Sequence, residues 1–572
     1  MPDVPADVLI VNGRVFVGGD PRRPEALPAG SRDGPPPEGT PDAVALRRGR
    51  VAWVGRGTDA RAWRSPATEV VDARQGLIAP GFEDAHLHFR MGAVSLLQVD
   101  LQPAESVADL RGILDRWQRS HPDAEWIVGR GWQYGVFPGG MPDRHLLDEL
   151  VPDRPAVLEC FDGHTHWLNS AALSRAGITR ETPDPPRGTV ERDPATDEPT
   201  GILKEFAHEL LEGVVPRPTE DETRRAIRDA IGLAQRHGLT AVQEAWTEVD
   251  DLRRYASLRA AAPLGLRFRI AFAADPVEWH GGLETGRRAW AERLAAYAAE
   301  LDAVGADEWL AGGMVKAFAD GVIESGTAWM LRPYESSGAA SGGGAATTGR
   351  PNWTAEALAE MTAMAVARGW QVQIHAIGDA AIRAALDAHE HAGRAGGQRG
   401  RVEHVEWPDP ADVPRFGALG VIASMQPYHA NPAPYSTAVW EGQIGPRTEH
   451  GWPWASILRS GGPLAFGSDW PVARFDPRVH LHAAVTRTDA HGHPSGGWLP
   501  GERLSVAEAL ASYTWGSAYA AGAEGSRGAV VPGHAADLVI LDRDLLAEGP
   551  SAIAGTEVLA TICGGRIVYR SP

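Results

Sequence analysis

Two histidines separated by one residue follow an apolar run near the start of the chain, in GLIAPGFEDAHLH. In an extended strand, the side chains of His86 and His88 point to the same face of the sheet. Two imidazoles on one face can bind one divalent metal ion. Because the motif is short, two unrelated histidines near a strand end are the alternative interpretation.

A lysine lies inside a second apolar run, GMVKAFADG. A buried ammonium must be paired or lose its charge. One resolution is carboxylation of Lys316 by CO2, which gives a carbamate that can bridge two metals. The alternative is a lysine in a salt bridge, for example with Asp320, and the motif taken alone favours that salt bridge.

Three more apolar runs end in a polar residue. His375 ends VQIH and His404 ends VEH, and a lone histidine at such a place is more often a core residue. Two consecutive strands that end this way favour a second metal. Asp469 ends PLAFGSD, where a carboxylate must be paired with a cation, a metal or a strong donor. An N-cap for the following turn is the alternative for this aspartate.

The elements that must position these residues are predicted by an alternation of apolar, strand-like runs with stretches rich in Ala, Leu and Arg. This alternation is typical of a parallel α/β core. Eight runs are predicted as strands of a barrel: 76–88, 239–245, 267–272, 313–318, 372–375, 402–405, 420–426 and 463–469. The five motifs end the first, fourth, fifth, sixth and eighth runs, and the carboxyl ends of barrel strands are where such enzymes place active sites.

Short strand-like runs at both ends of the chain predict one small β-sandwich domain assembled from residues 1–75 and 530–572. Asn12-Gly13, between two apolar runs, is a hairpin signal. The barrel is predicted over 76–529. A segment at about 126–209 does not follow the alternation and is predicted to be an insertion after the first barrel strand.

Composition and charge limit the classes of partner. The chain has 572 residues and a net charge of −19, and an acidic surface repels nucleic acid and anionic membranes. We therefore expect a small-molecule substrate, no nucleic acid and no membrane; a homodimer is an open expectation. No run of about 18 apolar residues occurs, and the first residues do not resemble a signal peptide.

The chain has two cysteines, Cys160 and Cys563, and neither has a CxxC neighbour. They predict no thiolate zinc site and no disulfide framework, which fits a reducing, cytoplasmic compartment. Residues 336–349, SSGAASGGGAATTG, are a low-complexity segment.

As a set, these motifs resemble the amidohydrolase superfamily in its binuclear arrangement. More narrowly, they are similar to the subfamily that includes N-substituted formamide deformylases, amidohydrolase family 3. The phrases that carry the resemblance are GLIAPGFEDAHLHF, VKAFADGVIESGTA, QVQIHAIGDAAI, RVEHVEW and FGSDWPV, with DGHTHWLNS, GILKE and ADLVIL in addition. The resemblance covers nearly the whole chain and is specific for the family, but not for a substrate.

The resemblance implies a (β/α)8 TIM-like barrel that holds one or two metal ions. Its implied first metal is bound by His86, His88 and Asp469. The implied second metal is bound by His375 and His404, and a carboxylated Lys316 bridges the two. Zinc is the expected metal because mixed nitrogen and oxygen ligands with an open position suit it, and other divalent transition metals are alternatives.

The resemblance also implies a mechanism, hydrolysis of a C–N bond. A bound metal lowers the pKa of its water towards ~7. Asp469, as general base, takes the water proton and later returns it to the leaving nitrogen. Lys316 is the second residue with a predicted catalytic role.

Two residues within the predicted insertion are candidates for substrate binding. His164 belongs to a second HxH motif, with His166, which we do not assign to the metals because the ligand set is already filled. His164 is predicted to contact the substrate or the oxyanion, and a structural loop histidine is the alternative. Trp132 is predicted to line the pocket, and ordinary core packing is the alternative.

Several other reactions use the same fold. A deaminase of the superfamily typically carries a glutamate three residues after the strand-five histidine, where this chain has Gly378. Such a deaminase also lacks a strand-four lysine, which this chain has at Lys316. Hydrolysis of a cyclic amide, or of a C–O or P–O bond, stays open. A non-catalytic metal-binding scaffold would have lost a ligand or the base, and this chain has lost neither.

Overall fold

The structure is a computed structural model that describes residues 4–23, 27–137, 140–161, 163–185, 188–335, 347–393 and 399–572. Of the low-complexity segment 336–349, residues 336–346 lie outside the described residues.

Eight parallel strands form one sheet in which each strand pairs with the next along the chain. They are Phe82–Leu87, Leu239–Thr247, Arg267–Ala273, Leu310–Phe318, Gln371–Ala376, Arg401–His404, Ile422–Met425 and Leu464–Phe466. Beyond the eighth strand, the backbone N–H of Asp469 donates to the carbonyl of His86 at 2.7 Å, which joins the last strand to the first. The predicted (β/α)8 barrel is therefore confirmed.

The barrel strands are buried over most of their length because helices cover parallel sheets. In Gln371–Ala376, for example, all six residues are buried, including two glutamines and a histidine. Among the helices, Ala355–Ala367 begins at Thr354, whose hydroxyl accepts a hydrogen bond from the N–H of Ala357 at 3.2 Å.

Some helices connect consecutive barrel strands, and the others lie between strands of the other sheets. They are Gly57–Ala60, Phe89–Ser95, Val107–Ser120, Arg144–Leu150, Ser170–Ala176, Glu220–Arg236, Val249–Ala261, Leu283–Val304, Ala355–Ala367, Asp379–Ala392, Val413–Leu419, Pro434–Ile444, Trp454–Arg459, Pro477–Thr486, Val506–Ala511, Ser517–Ala520 and Leu545–Glu548. None of the helices in the described ranges is long and apolar enough to cross a membrane.

The predicted first barrel strand, 76–88, is in fact two strands that belong to different sheets. Leu77–Pro80 pairs with Leu538–Leu541, whereas Phe82–Leu87 pairs with the second barrel strand. The chain changes sheets at Gly81, where an added Cβ would lie 2.3 Å from the side chain of Thr240. Only glycine permits that close approach.

Two sheets from both ends of the chain share one apolar core that contains Ile10, Val44, Ile78, Ile540 and Ile562. The four-stranded sheet has the order Arg50–Gly55, Ala43–Arg47, Val8–Val11 and Glu69–Asp72. The five-stranded sheet has the order Arg14–Val15, Leu77–Pro80, Leu538–Leu541, Val558–Cys563 and Arg566–Arg570. These sheets form the β-sandwich, whose predicted bounds were 1–75 and 530–572.

The hairpin predicted at Asn12-Gly13 is wrong. Val8–Val11 pairs with Ala43–Arg47 and Glu69–Asp72, whereas Arg14–Val15 pairs with Leu77–Pro80 in the other sheet. Asn12 does adopt a left-handed conformation, with φ 59°. The local turn is therefore present, but partners distant in sequence determine where each strand pairs.

A second compact unit comprises Phe89–Ala230 and Trp470–Ala473. Its six-stranded sheet has the order Gly188–Arg192, Pro199–Glu205, Thr165–Leu168, Ala156–Cys160, Ile127–Trp132 and Val99–Asp100. The predicted insertion, about 126–209, is the middle of this unit. Helix Val107–Ser120 lies before those predicted bounds. It nevertheless belongs to the second unit, because it buries Leu110 and Leu114 in that unit's core.

Candidate metal centre

Asp469 faces two histidines at the carboxyl end of the first barrel strand, His86 and His88. Its Oδ1 is 3.5 Å from Nε2 of His86 and 3.4 Å from Nε2 of His88. Ligands about 2.0–2.1 Å from one ion in a tetrahedral site lie about 3.3–3.5 Å apart. The donor atoms of these three residues all lie within 4.8 Å of one another, so the group fits one metal ion.

The local backbone directs Asp469 towards these histidines. The residue has φ 60°, a left-handed conformation that aspartate tolerates better than most residues. Its backbone N–H donates to the carbonyl of His86 in the first strand. Burial alone would raise the pKa of Asp469, but the hydrogen bond from His88 and the nearby His86 and His404 hold it well below its usual range. The carboxylate is therefore ionised and available as a ligand or base.

His86 is oriented by a buried carboxylate that sequence reasoning missed. Its Nδ1 lies 2.6 Å from Oε2 of Glu403, so Nε2 faces Asp469. Burial opposes ionisation of Glu403, but Arg401 and His86 lower its pKa to about 2. Arg401 donates to Oε1 of Glu403 at 2.9 Å and to the amide oxygen of Gln243 at 2.6 Å. Such outer carboxylates fix the tautomer of a metal-binding histidine.

Lys316 is fully buried on the fourth barrel strand, with Nζ 3.5 Å from Nε2 of His86. Burial lowers the pKa of Lys316 to about 8, although Glu403 and Asp469 favour its charged form. The alternative salt bridge with Asp320 does not form. The Asp320 carboxylate accepts hydrogen bonds from backbone N–H groups instead, among them that of Gly378 at 2.9 Å.

His375 and His404 lie side by side at the ends of the fifth and sixth strands, with ring centroids 4.5 Å apart. Nδ1 of His404 is 2.8 Å from Oε1 of Gln426, and Nε2 of His375 is 3.2 Å from the carbonyl of Gly321. Burial lowers the pKa of His404 well below its usual value, so this ring is neutral, as a ligand must be.

A second group of donor atoms within 4.8 Å contains His404, Asp469 and a residue that sequence reasoning missed, His429. His429 lies in the turn Pro427–Ala430, directly after the seventh barrel strand. In the described part of the chain, His375 belongs to neither group. A polar residue after an apolar run was the signal that identified the other motifs, and QPYH after ASM carries the same signal.

The two candidate substrate residues lie in the second unit. Nδ1 of His164 is 2.9 Å from Oε2 of Glu205. Trp132 has no exposed surface, and its indole N–H donates to the carbonyl of Leu158 at 2.8 Å. Trp132 also packs against Trp167 in the apolar core of that unit. Trp132 therefore occupies the position of an ordinary core residue, which is the alternative to a pocket-lining role.

A parallel eight-stranded barrel with these side chains at the carboxyl ends of its strands defines a metal-dependent hydrolase. The model of the amidohydrolase family matches residues 69–569. The chain belongs to this family, in the branch of amidohydrolase family 3.

Named relatives are similar over nearly their whole length. Protein LONG AFTER FAR-RED 3 of Arabidopsis thaliana is 30% identical, over 99% of this chain and 92% of the relative. The N-substituted formamide deformylase of Arthrobacter pascens is 27% identical, over 92% of this chain and 94% of the relative. A solved structure of an uncharacterized metal-dependent hydrolase from Pyrococcus horikoshii OT3 is 25% identical, with a TM-score of 0.68 over 94% of this chain and 98% of that one.

Proposed function

We propose that the protein hydrolyses the amide-type C–N bond of a small molecule, with an N-substituted formamide as the first candidate. The observation that carries the proposal is the position of Asp469, whose Oδ1 lies within 3.5 Å of two histidine nitrogens at the carboxyl end of the first barrel strand. The similarity to a formamide deformylase over 92% of the chain supports the substrate class.

The donor set fits a divalent transition metal. His86, His88 and Asp469 offer two imidazoles and one carboxylate, and Glu403 keeps Nε2 of His86 directed at the group. Mixed nitrogen and oxygen ligands make zinc the preferred candidate. Such an ion supplies Lewis acidity, which lowers the pKa of a coordinated water from about 15.7 to about 7.

Asp469 is the proposed general base. An ionised carboxylate beside the metal ligands can accept the proton of the attacking water while the O–C bond forms. The same carboxyl group then gives that proton to the leaving nitrogen as the C–N bond breaks, so that an acid and an amine are the products. The low pKa of Asp469 keeps it in the basic form at the start of each cycle.

Lys316 is the proposed site of a carbamate. Its buried amine has a pKa lowered to about 8, so an uncharged fraction exists at neutral pH. That amine can attack CO2: a new N–C bond forms, one proton leaves the nitrogen, and an anionic carbamate results. Nε2 of His86 lies 3.5 Å from Nζ, which supports a carbamate beside the first metal group.

A cyclic amide is the second candidate substrate. A deaminase is disfavoured because Gly378 stands three residues after His375 and offers no acidic side chain there. Instead, the N–H of Gly378 donates to Oδ2 of Asp320 at 2.9 Å.

An activity screen of the zinc-loaded protein tests the proposal. We expect turnover of N-substituted formamides, with formate and an amine as products, and weaker or no turnover of cyclic amides and aminated rings. Formate release is measured enzymatically and the amine by mass spectrometry. Turnover of esters or phosphate esters alone would replace the proposed reaction with C–O or P–O hydrolysis.

We expect the purified protein to carry one to two equivalents of metal per chain, mainly zinc, because two donor groups share Asp469. Elemental analysis after purification without chelator measures this. A content well below one equivalent, in protein that takes up no added zinc, would contradict the metal assignment.

We also propose a cytoplasmic location. Both cysteines are buried and neither forms a disulfide; Cys160 lies in the second unit and Cys563 in the sandwich. Two cysteines without a disulfide fit a reducing compartment. A small-molecule substrate is the proposed partner, and a homodimer is the proposed assembly to be tested by light scattering.

A further inference from the structure

Arg130 is a buried arginine of the second unit, and most of its guanidinium group is unpaired. The side chain is only 5% exposed. Its Nη2 donates to the carbonyl of Phe161 at 3.2 Å. Among the described residues, its buried Nε and Nη1 have no hydrogen-bond partner, and these two nitrogens carry three N–H groups. Because buried donors are normally paired, the unpaired edge of this guanidinium indicates a site for an acceptor.

One carboxylate lies near the guanidinium but does not satisfy these donors. Glu159 is the cross-strand neighbour of Arg130, and its Oε1 is 3.6 Å from Nη2, beyond hydrogen-bond distance. Gly163, in the loop after the strand of Glu159, has no side chain, and an added Cβ would lie 3.8 Å from Nη2. Glu159 therefore balances part of the positive charge, while Nε and Nη1 are left for another group.

The place of Arg130 in its sheet is one at which ligands bind. Three parallel strands of the second unit are connected by helices and end at the same edge of the sheet: Val99–Asp100, Ile127–Trp132 and Ala156–Cys160. Arg130 lies near this carboxyl edge, and His164 lies in the loop that follows the third strand. In open sheets of this kind, ligands bind beyond the carboxyl ends of the parallel strands.

We propose that Arg130 binds the carboxylate of a small molecule at this edge of the second unit. A carboxylate is planar and can accept two parallel hydrogen bonds from a guanidinium group. A neutral carbonyl oxygen would pair fewer donors and would leave the remaining buried charge unmatched. The carboxylate belongs either to the substrate or to a separate small molecule. The site itself does not depend on the proposed hydrolysis, and only the substrate source rests on that reaction.

Calorimetric titration of the full-length, zinc-loaded protein tests this site with propionate and with its uncharged isostere, propionamide. We expect the wild type to bind propionate, and Arg130→Met to bind it about 10–100-fold more weakly, the usual effect of losing hydrogen bonds between charged groups. Propionamide should bind both proteins equally weakly. Arg175→Met is the matched control, because Arg175 is exposed on helix Ser170–Ala176 of the same unit, and it should bind propionate as the wild type does.

Competition distinguishes the two sources of the carboxylate. N-formylglycine is compared with N-formylglycinamide, in which a carboxamide replaces the carboxylate. If the substrate carries the carboxylate, the wild type prefers N-formylglycine, propionate competes with it, and Arg130→Met abolishes the preference. If a separate molecule carries it, propionate and N-formylglycine bind together, and only propionate binding depends on Arg130.

Equal affinity of the wild type and Arg130→Met for propionate would overturn the inference, because any carboxylate then binds elsewhere, for example at the metal. A merely structural arginine has another signature. Without ligand, Arg130→Met should melt at the wild-type temperature or above it, since the change removes an incompletely paired buried charge. A lower melting temperature together with unchanged propionate affinity would make Arg130 structural.

Two further outcomes are decisive. If Arg130→Met does not fold, Arg130→Gln is tested by the same criterion, and equal binding of propionate and propionamide by the wild type overturns the inference without any variant. A protein that binds propionate through Arg130 but releases no formate from any substrate would keep this site and remove only the proposed reaction.

Discussion

Asp469→Asn is expected to lower kcat by about 10²–10⁴-fold, the usual contribution of general acid–base catalysis. Asparagine keeps the shape and one oxygen of the side chain but cannot take the water proton. KM should change far less, because the lost interaction acts mainly in the transition state. Steady-state rates of the zinc-loaded variant on the best substrate of the screen measure both quantities.

The pH profile gives an independent test of Asp469. The surrounding imidazoles hold its pKa well below the usual range, so the wild type should stay active into acid and lose kcat/KM as pH falls through that value. The asparagine variant lacks this group, so its acid limb should vanish or move. Rates must be compared only over pH values at which the metal content is unchanged.

Two controls make the Asp469 result interpretable. The zinc content of Asp469→Asn is measured beside its rate, because the carboxylate also faces both donor groups. Asp250→Asn, on an exposed helical position, is the matched change elsewhere and should leave the rate unaltered. A fully metallated Asp469→Asn protein with near wild-type turnover would remove Asp469 from the proposed mechanism.

The barrel was predictable from sequence because its signal is local. Each of the eight strands is a short apolar run, and the polar residues that end five runs gather at one edge when the strands are parallel. The ends of the elements were harder to predict. The run 76–88 does contain a turn signal, Pro80-Gly81, but the apolar residues directly on both sides of it make the run resemble one strand.

Long-range pairing explains the other differences. Asn12-Gly13 forms a left-handed turn as expected, but Val15 then pairs with Ile78 rather than with Val8–Val11. A turn motif reports the local backbone and carries no information about a strand about sixty residues away.

The same limit applies to the metal centre. The sequence indicated the histidines and Asp469 because they end strands. It did not indicate Glu403 or Glu406 as positioning residues, because each acts on a histidine brought near by another strand: Glu403 on His86, and Glu406 on His429. His429 itself lies in a turn after the seventh strand, so the direction of its side chain depends on that turn.

One compositional feature strengthens the role proposed for Lys316. The chain has 55 basic residues other than histidine, and only two of them, Lys204 and Lys316, are lysines. An arginine cannot lose its proton in a protein, whereas a buried lysine can become a neutral amine. A chain that uses arginine at nearly all its other basic positions has a lysine where burial lowers its pKa to about 8.

Carboxylation can be observed directly with this composition. Protein equilibrated with 13C-bicarbonate should show one carbamate resonance by NMR, and that signal should vanish in Lys316→Ala but persist in Lys204→Ala. Lys204 is partly exposed and forms an ion pair with Glu191, which makes it the matched control.

Lys316→Ala is expected to lose bound zinc and at least about 10²-fold in kcat/KM. The lost carbamate would remove an anionic ligand beside His86, and metal polarisation contributes several kcal/mol to such reactions, with about 1.4 kcal/mol for each tenfold in rate. Removing the long side chain also leaves a buried space in which a small carboxylate can take the place of the carbamate. Acetate or propionate should therefore restore part of both zinc content and rate, in a saturable manner. A Lys316→Ala protein with normal zinc content and normal turnover would make Lys316 a structural residue, and the absence of any carbamate signal in the wild type would agree with that result.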